Sequence, residues 1–427
     1  MLNASKIVGS GARRAAWPVA AVGLLLGGTA PALAQDGVAP PAPVGAVYAM
    51  TNSLAGNEVV VFDRAEDGSL SGGAHVPTGG EGSGSFENSD TPLIVASAEG
   101  QSSPVDLGGG SDFVFAVNAG SDSISSFAVT EEGLELVEVQ DSGAERPTSL
   151  TANNGMLYVL NSAGDAGGAG LCFGGNPSVT GFTIAETGEL EPIPDSTVEL
   201  SGGPDSGCAQ VSFTPGGGVL LVSQITQNTI TAFPVNDDGT LGEAVENEPT
   251  GNGPFGYTFD GEGRLHVTEN FQAAPGAASV ASYEIARDGT LEPIGESVTT
   301  GETDPCWILV TPDGRFAFVA NFGPSGLLEV ESEEVRRGTI SSFAVGEDGS
   351  LAVLEAQAAQ VGVGAADIAF AGDGAFLYAL NTAAGTVSGF AIGEEGELTL
   401  VTAVGGLPTN PIGPLPPAMG LAARDNG

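Results

Sequence analysis

Short stretches of alternating apolar and polar residues recur along the chain, and each leads into a turn that combines an acidic residue, glycine and leucine. The turn occurs seven times: EDGSL at 66–70, EEGL at 131–134, ETGEL at 186–190, DDGTL at 237–241, RDGTL at 287–291, EDGSL at 347–351 and EEGEL at 394–398. An aromatic residue stands at one register before each turn: Phe62, Phe127, Phe182, Phe233, Tyr283, Phe343 and Phe390. Because Asp-Gly and Glu-Gly turns join antiparallel strands of period two, the pattern predicts seven β-hairpins.

A second signature, a short apolar strand that ends mostly in asparagine, precedes each hairpin. Its copies are YAMTN at 48–52, FAVN at 115–118, LYVLN at 157–161, LLVSQ at 220–224, HVTEN at 266–270, FVAN at 318–321 and LYALN at 377–381. Most copies follow one further strand and turn, as in CWILV at 306–310 before TPDG at 311–314. Each unit therefore has four strands, A to D, and the sevenfold repeat predicts an all-β, seven-bladed β-propeller.

The two ends of the chain complement each other in this repeat. The first unit has no strand A, whereas the last is followed by an extra strand at 420–427 that resembles SLTANNG at 149–155. We expect this C-terminal strand to complete blade 1 and to close the ring, which removes an exposed sheet edge. Residues 351–360 have a helix-friendly composition but occupy the register of a D strand, so a strand is expected there too.

The first residues have the layout of a secretory signal. A basic start with Lys6, Arg13 and Arg14 leads into an apolar stretch at 15–28 and a small-residue cleavage site at 32–34. We therefore expect a signal peptide at 1–34, a linker at 35–43 and the propeller at 44–427. The apolar stretch is too short to span a membrane, so we expect a periplasmic or secreted protein without a membrane partner. We also expect a monomer. Residues 15–17 do not continue the arginine pair as a twin-arginine signal does, which favours the general export route.

The chain is strongly acidic, with 53 Asp and Glu against 11 Lys and Arg and a formal net charge of −42. Such a surface repels nucleic acid and anionic membranes, which excludes both as partners. The charge is typical of a protein from a saline habitat, where salt screens the repulsion. A surface that recruits cations or basic substrates is the alternative interpretation.

Removal of salt is expected to lower the melting temperature. At roughly 10 mM ionic strength the Debye length is about 30 Å, so carboxylates on different blades repel one another. A thermal-denaturation series in sodium chloride checks this, and a melting temperature that is independent of salt would contradict the saline-habitat interpretation.

Long insertions indicate which face of the propeller carries function. In this fold the B–C and D–A connections lie on one face, which we call the inserted face, and the A–B and C–D turns lie on the other. The sequence predicts a long D–A connection at 81–103 and long B–C connections at 162–177, 271–278 and 322–338, with every A–B and C–D turn short. Because long connections in a compact repeat are often functional, we expect the binding site on the inserted face, with tolerated growth as the alternative.

The YVTN-like strands, the DGxL hairpins and TPDGRFAFVAN at 311–321 resemble the lactonase-type seven-bladed propeller family, which includes bacterial 6-phosphogluconolactonases and carboxymuconate cyclases. The resemblance covers nearly all of the chain after residue 34. It implies His and Arg at the strand-A mouths, acting on an anionic lactone. Aligning each strand A on its turn gives a ring without histidine: Asp106, Ser149, Gln210, Gly256, Trp307, Asp367 and Gly420. The catalytic set of the family therefore does not carry over.

The two histidines do not replace that set. His266 falls in the register of Leu157 and Leu377, which indicates a hydrogen-bonded core residue. His75 belongs to the outer strand of blade 1 and is expected at the surface.

A carboxylate remains the best candidate for a general base. Glu269 falls in a register held elsewhere by residues such as Leu160 and Leu380, and a buried acid there would have a raised pKa. Asp106 and Asp367 at the channel mouth are the other candidates. Arg146, just before a strand A, is the predicted oxyanion partner. A solvated strand end is the alternative interpretation for Glu269.

Two further residues are predicted to bind a ligand. Gln210 lies at the channel mouth, and Trp307 either stacks on the ligand or caps the channel. No cofactor is expected; as an alternative, Asp106 and Asp367 hold a hard cation such as Ca²⁺ through their oxygens.

The three cysteines form no CxxC pair and no zinc-binding pattern. In an oxidising compartment we expect one disulfide and one free thiol. Cys172, in the insertion of blade 3, and Cys208, at the next strand-A mouth, lie on one face of neighbouring blades and are the predicted pair. Cys306 is expected to stay free.

Two functions follow from these features. The first is a lactonase-like hydrolase or cyclase acting on a neutral lactone, because an anionic substrate is repelled by the acidic surface. The second is a non-catalytic scaffold that binds a protein, a glycan or a cation at the inserted face.

Overall fold

The computed structural model describes residues 42–97, 112–164, 175–323, 337–409 and 418–426. Residues 42–427 cluster as one compact unit. The expected signal peptide at 1–34 lies outside the described residues. No helix in the described ranges is long and apolar enough to cross a membrane.

Seven antiparallel sheets form the blades, as the repeat predicts. In each blade strand A is the innermost and strand D the outermost. Blade 1 has, in that order, β30 (Met419–Asp425), β1 (Gly45–Met50), β2 (Glu58–Arg64) and β3 (Leu70–Pro77). Blade 2 has β4 (Leu93–Ala96), β5 (Phe113–Asn118), β6 (Ser123–Thr130) and β7 (Gly133–Asp141). Blade 3 has β8 (Pro147–Asn153), β9 (Met156–Asn161) and β10 (Ser178–Ile184), with β11 (Leu190–Pro192) and β12 (Val198–Glu199) sharing the outer position.

The remaining four blades repeat this order. Blade 4 has β13 (Cys208–Phe213), β14 (Val219–Gln224), β15 (Thr229–Pro234) and β16 (Val245–Asn247). Blade 5 has β17 (Pro254–Phe259), β18 (Leu265–Glu269), β19 (Ser279–Ile285) and the outer pair β20 (Leu291–Pro293) and β21 (Val298–Thr299). Blade 6 has β22 (Pro305–Val310), β23 (Phe316–Asn321), β24 (Arg337–Val345) and β25 (Leu351–Val363). Blade 7 has β26 (Ala365–Ala371), β27 (Phe376–Asn381), β28 (Thr386–Ile392) and β29 (Leu398–Gly405).

The C-terminal strand closes the ring, as predicted. β30 pairs antiparallel with β1, from Gly45 opposite Asp425 to Met50 opposite Met419. The A strands contact one another in ring order around a central channel. The strand prediction for 351–360 is also confirmed, because β25 covers it.

Aromatic side chains fix the spacing between blades. The hairpin aromatics, such as Phe127, Phe182 and Phe343, are fully buried. Burial of each such side chain contributes roughly 1.5–3 kcal/mol. The hydroxyl of Tyr378 in strand B of blade 7 donates to the carbonyl of Gly68 in the turn of blade 1, at 2.7 Å. The DGxL turns therefore serve both as hairpin turns and as docking points for the neighbouring blade.

The position predicted for strand A of blade 2 is wrong. The alignment that gave Asp106 put this strand near residue 106, but the inner strand is β4, which ends at Ala96. Asp106 lies outside the described residues. Because β4 ends at Ala96 and β5 begins at Phe113, the prediction that all A–B turns are short is wrong as well.

The other insertions agree with the prediction. The B–C connections of blades 3, 5 and 6 are long and lie between the strands that end at Asn161, Glu269 and Asn321 and the strands that follow them. The D–A connection from blade 1 to blade 2 is shorter than expected and covers residues 78–92. This connection is fully described, and we call it the strap.

Candidate active site in the central channel

The strap runs across the inner ends of several blades. Ser83 N donates to Asn52 Oδ1 of blade 1, and Gly120 N of blade 2 donates to Glu81 O. Ser89 Oγ donates to Thr148 O of blade 3 at 2.9 Å. The strap is therefore hydrogen-bonded to three consecutive blades, and it goes on to reach the opposite side of the ring.

On that opposite side the strap packs against aromatic residues. The ring of Phe86 lies 5.2 Å from that of Phe322 in blade 6, centroid to centroid. Trp307 is fully buried, and its indole Nε1 donates to Ser89 O at 3.3 Å. Of the two roles predicted for Trp307, its burial against the strap agrees with capping the channel.

A buried ion pair anchors the strap to blade 3. Arg146 Nε and Nη2 donate to Glu87 Oε2 and Oε1, at 3.0 and 2.8 Å. Ser83 Oγ also donates to Glu87 Oε1. A two-pronged guanidinium–carboxylate pair fixes both distance and orientation. The predicted role of Arg146 as an oxyanion partner requires an available positive charge. Its guanidinium is instead paired with Glu87.

The strap ends with a buried acid, Asp90, that no motif of the repeat marks. Asp90 N donates to Ala209 O of blade 4, and Thr91 N donates to Asp90 Oδ1. No hydrogen bond from a described residue reaches Asp90 Oδ2. A Cβ on Gly256 of blade 5 would lie 2.7 Å from Oδ2, so the glycine leaves room for this carboxylate.

Asp367, one of the predicted acids, belongs to strand A of blade 7. It is in a β-bulge of strand A, with φ of 136°, a value that L-residues rarely adopt. Ile368 N and Leu421 N donate to Oδ1 and Oδ2, both at 2.8 Å. The residue is only 3% exposed. Strained backbone of this kind is concentrated at functional sites.

The two carboxyl groups influence each other's protonation. Burial raises the pKa of Asp90 from about 3.8 to about 7. Burial and the nearby charge of Asp90 raise the pKa of Asp367 well above its ordinary value. Two buried carboxylates in electrostatic contact cannot both ionise readily, so the pair retains a proton near neutral pH.

A further acid, Asp304, is hydrogen-bonded to a buried cysteine near this pair. The Cys306 thiol donates to Asp304 Oδ1 at 3.3 Å. Burial raises the pKa of Asp304 to about 6, and burial together with Asp304 and Asp90 raises the pKa of the Cys306 thiol. The thiol therefore stays protonated and is no nucleophile at neutral pH. Within the described ranges, no group of three or more His, Cys, Asp or Glu residues has the arrangement of a metal site.

Glu269 occupies a different register from the one predicted. It pairs with Pro254 and Ser279, as Asn161 of blade 3 pairs with Pro147 and Ser178. It therefore replaces the repeat asparagine. Gly251 N and Ser279 Oγ donate to its two oxygens, at 2.5 and 2.6 Å. The carboxylate fastens the connection before blade 5, and its role as a general base has no geometric support.

Gln210, predicted to bind a ligand, forms a bridge between blades instead. Its Oε1 accepts from Tyr257 N at 2.6 Å, and its Nε2 donates to Tyr257 O at 3.1 Å. Both ends of the amide are thus used to join blade 4 to blade 5. Asp106, the last predicted member of the ring, is outside the described residues. The inner strand of blade 2 is β4, and the acid that directly precedes it is Asp90 of the strap.

His266 belongs to a buried chain of polar groups, as expected of a core histidine. It is one register away from the prediction, because it pairs with Ser282 in the position that Tyr378 holds in blade 7. Its Nδ1 lies 2.9 Å from Ser282 Oγ, and its Nε2 lies 3.3 Å from Asp260 Oδ2. Ser282 is only 5% exposed. These hydrogen-bonded side chains of Ser282, His266 and Asp260 therefore have a packing role. Arg264 links them to the carbonyl of Glu347 in blade 6.

The cysteines agree with the prediction as far as they are described. Cys208 is disulfide-bonded, and Cys306 is a free, buried thiol. Cys172 lies outside the described residues, so its pairing with Cys208 stays a prediction. His75 is at the surface, where it pairs with Glu58 at 2.8 Å.

Asp90→Asn is expected to stabilise the protein at high pH. The folded protein keeps the Asp90 proton up to about pH 7, whereas the unfolded chain releases it near pH 4, so stability falls as the pH rises between these values. Each pKa unit corresponds to about 1.4 kcal/mol, so above pH 7 the variant gains up to about 4 kcal/mol.

Denaturant titrations at pH 4 and pH 8 measure this difference. The matched control is Glu66→Gln, which removes one exposed carboxylate from a hairpin turn. If Asp90→Asn and Glu66→Gln change the free energy of unfolding equally at pH 8, Asp90 carries no burial penalty.

The comparisons with known proteins agree with this architecture. The family model described as "Lactonase, 7-bladed beta-propeller" matches residues 259–363. No curated protein matches the sequence. A periplasmic gluconolactonase of Pseudomonas aeruginosa has a TM-score of 0.61 at 18% identity, with 86% of this chain and 98% of that chain covered.

Two further solved structures are similar over nearly their whole length. A Bacteroides fragilis protein provisionally assigned as a 6-phosphogluconolactonase has a TM-score of 0.60 at 19% identity, with 90% of this chain and 98% of that chain covered. A Lactobacillus plantarum protein has a TM-score of 0.61 at 17% identity, with 88% and 99% covered. At this identity the structures establish the fold alone. With the match of the family model, they confirm that the chain resembles the lactonase-type seven-bladed β-propeller family.

Proposed function

We propose that this protein is an exported, lactonase-like hydrolase that opens a neutral lactone in the central channel on the side of the inserted face. The observation that carries the proposal is the burial of both Asp90 and Asp367, which raises the pKa of each carboxyl group. A pair of carboxyl groups with one proton presents one base and one acid to a substrate. The proposed reaction class, hydrolysis of a lactone, is based on the family resemblance.

The pair supports hydrolysis by the following chemistry. The ionised carboxylate of Asp90 takes a proton from water, and the resulting hydroxide adds to the lactone carbonyl carbon. The protonated carboxyl of Asp367 donates a hydrogen bond to the carbonyl oxygen and then passes its proton to the ring oxygen as the C–O bond breaks. The strap limits the access of bulk water, which strengthens both hydrogen bonds.

Charge selects the substrate. A net charge of −42 and the ionised carboxylate of Asp90 repel an anionic lactone, including a phosphorylated one. A neutral sugar or aliphatic lactone meets no such barrier. The proposed location outside the cytoplasm rests on the sequence of residues 1–34.

Lactone turnover by the purified protein tests the proposal. Neutral lactones are compared with a phosphorylated and a carboxylated lactone at two salt concentrations, with and without Ca²⁺. We expect kcat/KM to be at least about 10²-fold higher for a neutral lactone at low salt, with no requirement for Ca²⁺. Absence of turnover with every lactone would refute the hydrolase.

The second candidate function, a non-catalytic scaffold, is favoured by the pairing of Arg146. An oxyanion partner of the kind that the family resemblance implies needs an available cation, and this guanidinium is bound to Glu87. A scaffold would bind a protein, a glycan or a cation at the inserted face without turnover. Binding of a neutral lactone that is never hydrolysed would support it.

A further inference from the structure

We propose that Glu87 is a positioning residue: its ion pair with Arg146 holds the strap so that Asp90 faces Asp367. The inference deepens the proposed function and rests on it for the activity readout alone. The position of Asp90 is measurable without any substrate.

Arg146 is the fixed member of the pair. Its backbone N donates to Asp122 Oδ1 at 2.7 Å, and its carbonyl oxygen accepts from Ser162 N at 2.8 Å. Its φ is +60°, a conformation that a non-glycine residue keeps only when its surroundings impose it. Blades 2 and 3 therefore hold the backbone of Arg146 in place, and the strap docks onto its guanidinium through Glu87.

Glu87 also determines the local fold of the strap. Its Oε1 accepts from Ser83 Oγ, and the Arg146 guanidinium that it binds donates in turn to Ser85 Oγ at 3.3 Å. Residues 83–87 are thereby closed into a compact turn against blade 3. The next few residues lead directly to Asp90, so a change at Glu87 moves this acid relative to the channel.

The groups around Asp90 make its position visible in titration. Among the described residues, the titratable side chains whose pKa the charge of Asp90 affects are Asp367 of blade 7, Tyr257 of blade 5 and Cys306 of blade 6. None of these three groups is positively charged. The Arg146 guanidinium, which holds the strap, is bound to Glu87. Release of the strap exposes Asp90 to water and relieves its repulsion of Asp367, so the pKa values of both acids fall toward the ordinary range.

The test compares Glu87→Gln with the double variant Glu87→Gln/Arg146→Gln, which removes both charges of the ion pair. Infrared spectroscopy at pH 6 detects protonated carboxyl groups, and Asp90→Asn and Asp367→Asn identify the contributions of the pair. We expect the carbonyl band of the pair to disappear in both Glu87 variants. Activity is expected to fall by about 10²-fold in kcat with KM nearly unchanged, because a misplacement of roughly 1 Å costs about that much.

Arg264→Gln is the matched control. It breaks another buried ion pair, with Asp260, outside the strap. It is expected to lower stability and to leave both the carbonyl band and kcat unchanged. If either Glu87 variant loses stability but keeps the band, Glu87 is a structural residue only and the inference fails. If the unmodified protein turns over no lactone, the proposed function fails, and the band still decides the position of Asp90.

Discussion

Deletion of residues 419–427 is expected to unfold the whole propeller. The deletion removes β30, the inner strand of blade 1, and leaves β1 with an unpaired edge toward the channel. Met419 and Leu421 are buried, and truncating such residues costs about 2–5 kcal/mol each. The partly buried ion pair of Arg64 with Asp425 is lost as well. The total is comparable with the roughly 5–15 kcal/mol that stabilises a typical native protein.

Far-ultraviolet circular dichroism and a denaturant titration measure this effect. The matched control is a deletion of Asn426 and Gly427 alone, which keeps β30 complete and is expected to unfold like the full-length chain. If the long deletion also unfolds like the full-length chain, closure through β30 does not stabilise the ring.

Asp90→Asn and Asp367→Asn are each expected to lower kcat for a neutral lactone by about 10²–10⁴-fold, the usual cost of removing a general acid or base. The pH–rate profile gives the more specific prediction. Activity rises with pH through about 7 as Asp90 ionises, and it falls at higher pH when Asp367 loses its proton. Because the two acids are coupled, both limbs of the profile belong to the pair.

Two comparison variants distinguish this assignment from the one that the repeat alone suggests. Glu269→Gln tests the acid that stands out in the repeat alignment, and His266→Gln tests the buried histidine. We expect both to keep kcat within a few-fold after correction for stability losses. If Glu269→Gln abolishes turnover while Asp90→Asn does not, the base has been assigned to the wrong acid.

The architecture was predictable because it is encoded many times over. Each blade repeats the turn and the aromatic residue, so an error in one blade does not change the count of seven. The closing strand was identifiable by its likeness to SLTANNG at 149–155, and its pairing with β1 bears this out.

The site was harder to predict because it depends on the position of a single strand, strand A of blade 2, which the repeat does not mark clearly. Strand A of blade 2 is only four residues long, and two segments near it have strand-like composition, LIVA at 93–96 and PVDL at 104–107. An alignment on the second segment leaves Asp90 inside an insertion. A usable signal was present: Pro92 and Gly100 have the same spacing as Pro147 and Gly155 in blade 3.

Glu269 was misplaced by one residue for a similar reason. In HVTEN the terminal asparagine, Asn270, suggested the register of the repeat, but Glu269 takes the asparagine position and Asn270 caps the short turn that follows. A side-chain oxygen is what that position needs, and glutamate supplies one. The pairing of Glu87 with Arg146 could not be predicted, because it joins an insertion to a neighbouring blade.

Carbon-13 NMR titration of the aspartate carboxyl groups tests most directly whether Asp90 and Asp367 form a proton-sharing pair. We expect one carboxyl resonance that titrates near pH 7 and disappears in Asp90→Asn, and a second with a raised pKa that falls in the same variant. Titration of every aspartate in the unmodified protein below about pH 5 would contradict the proton-sharing pair.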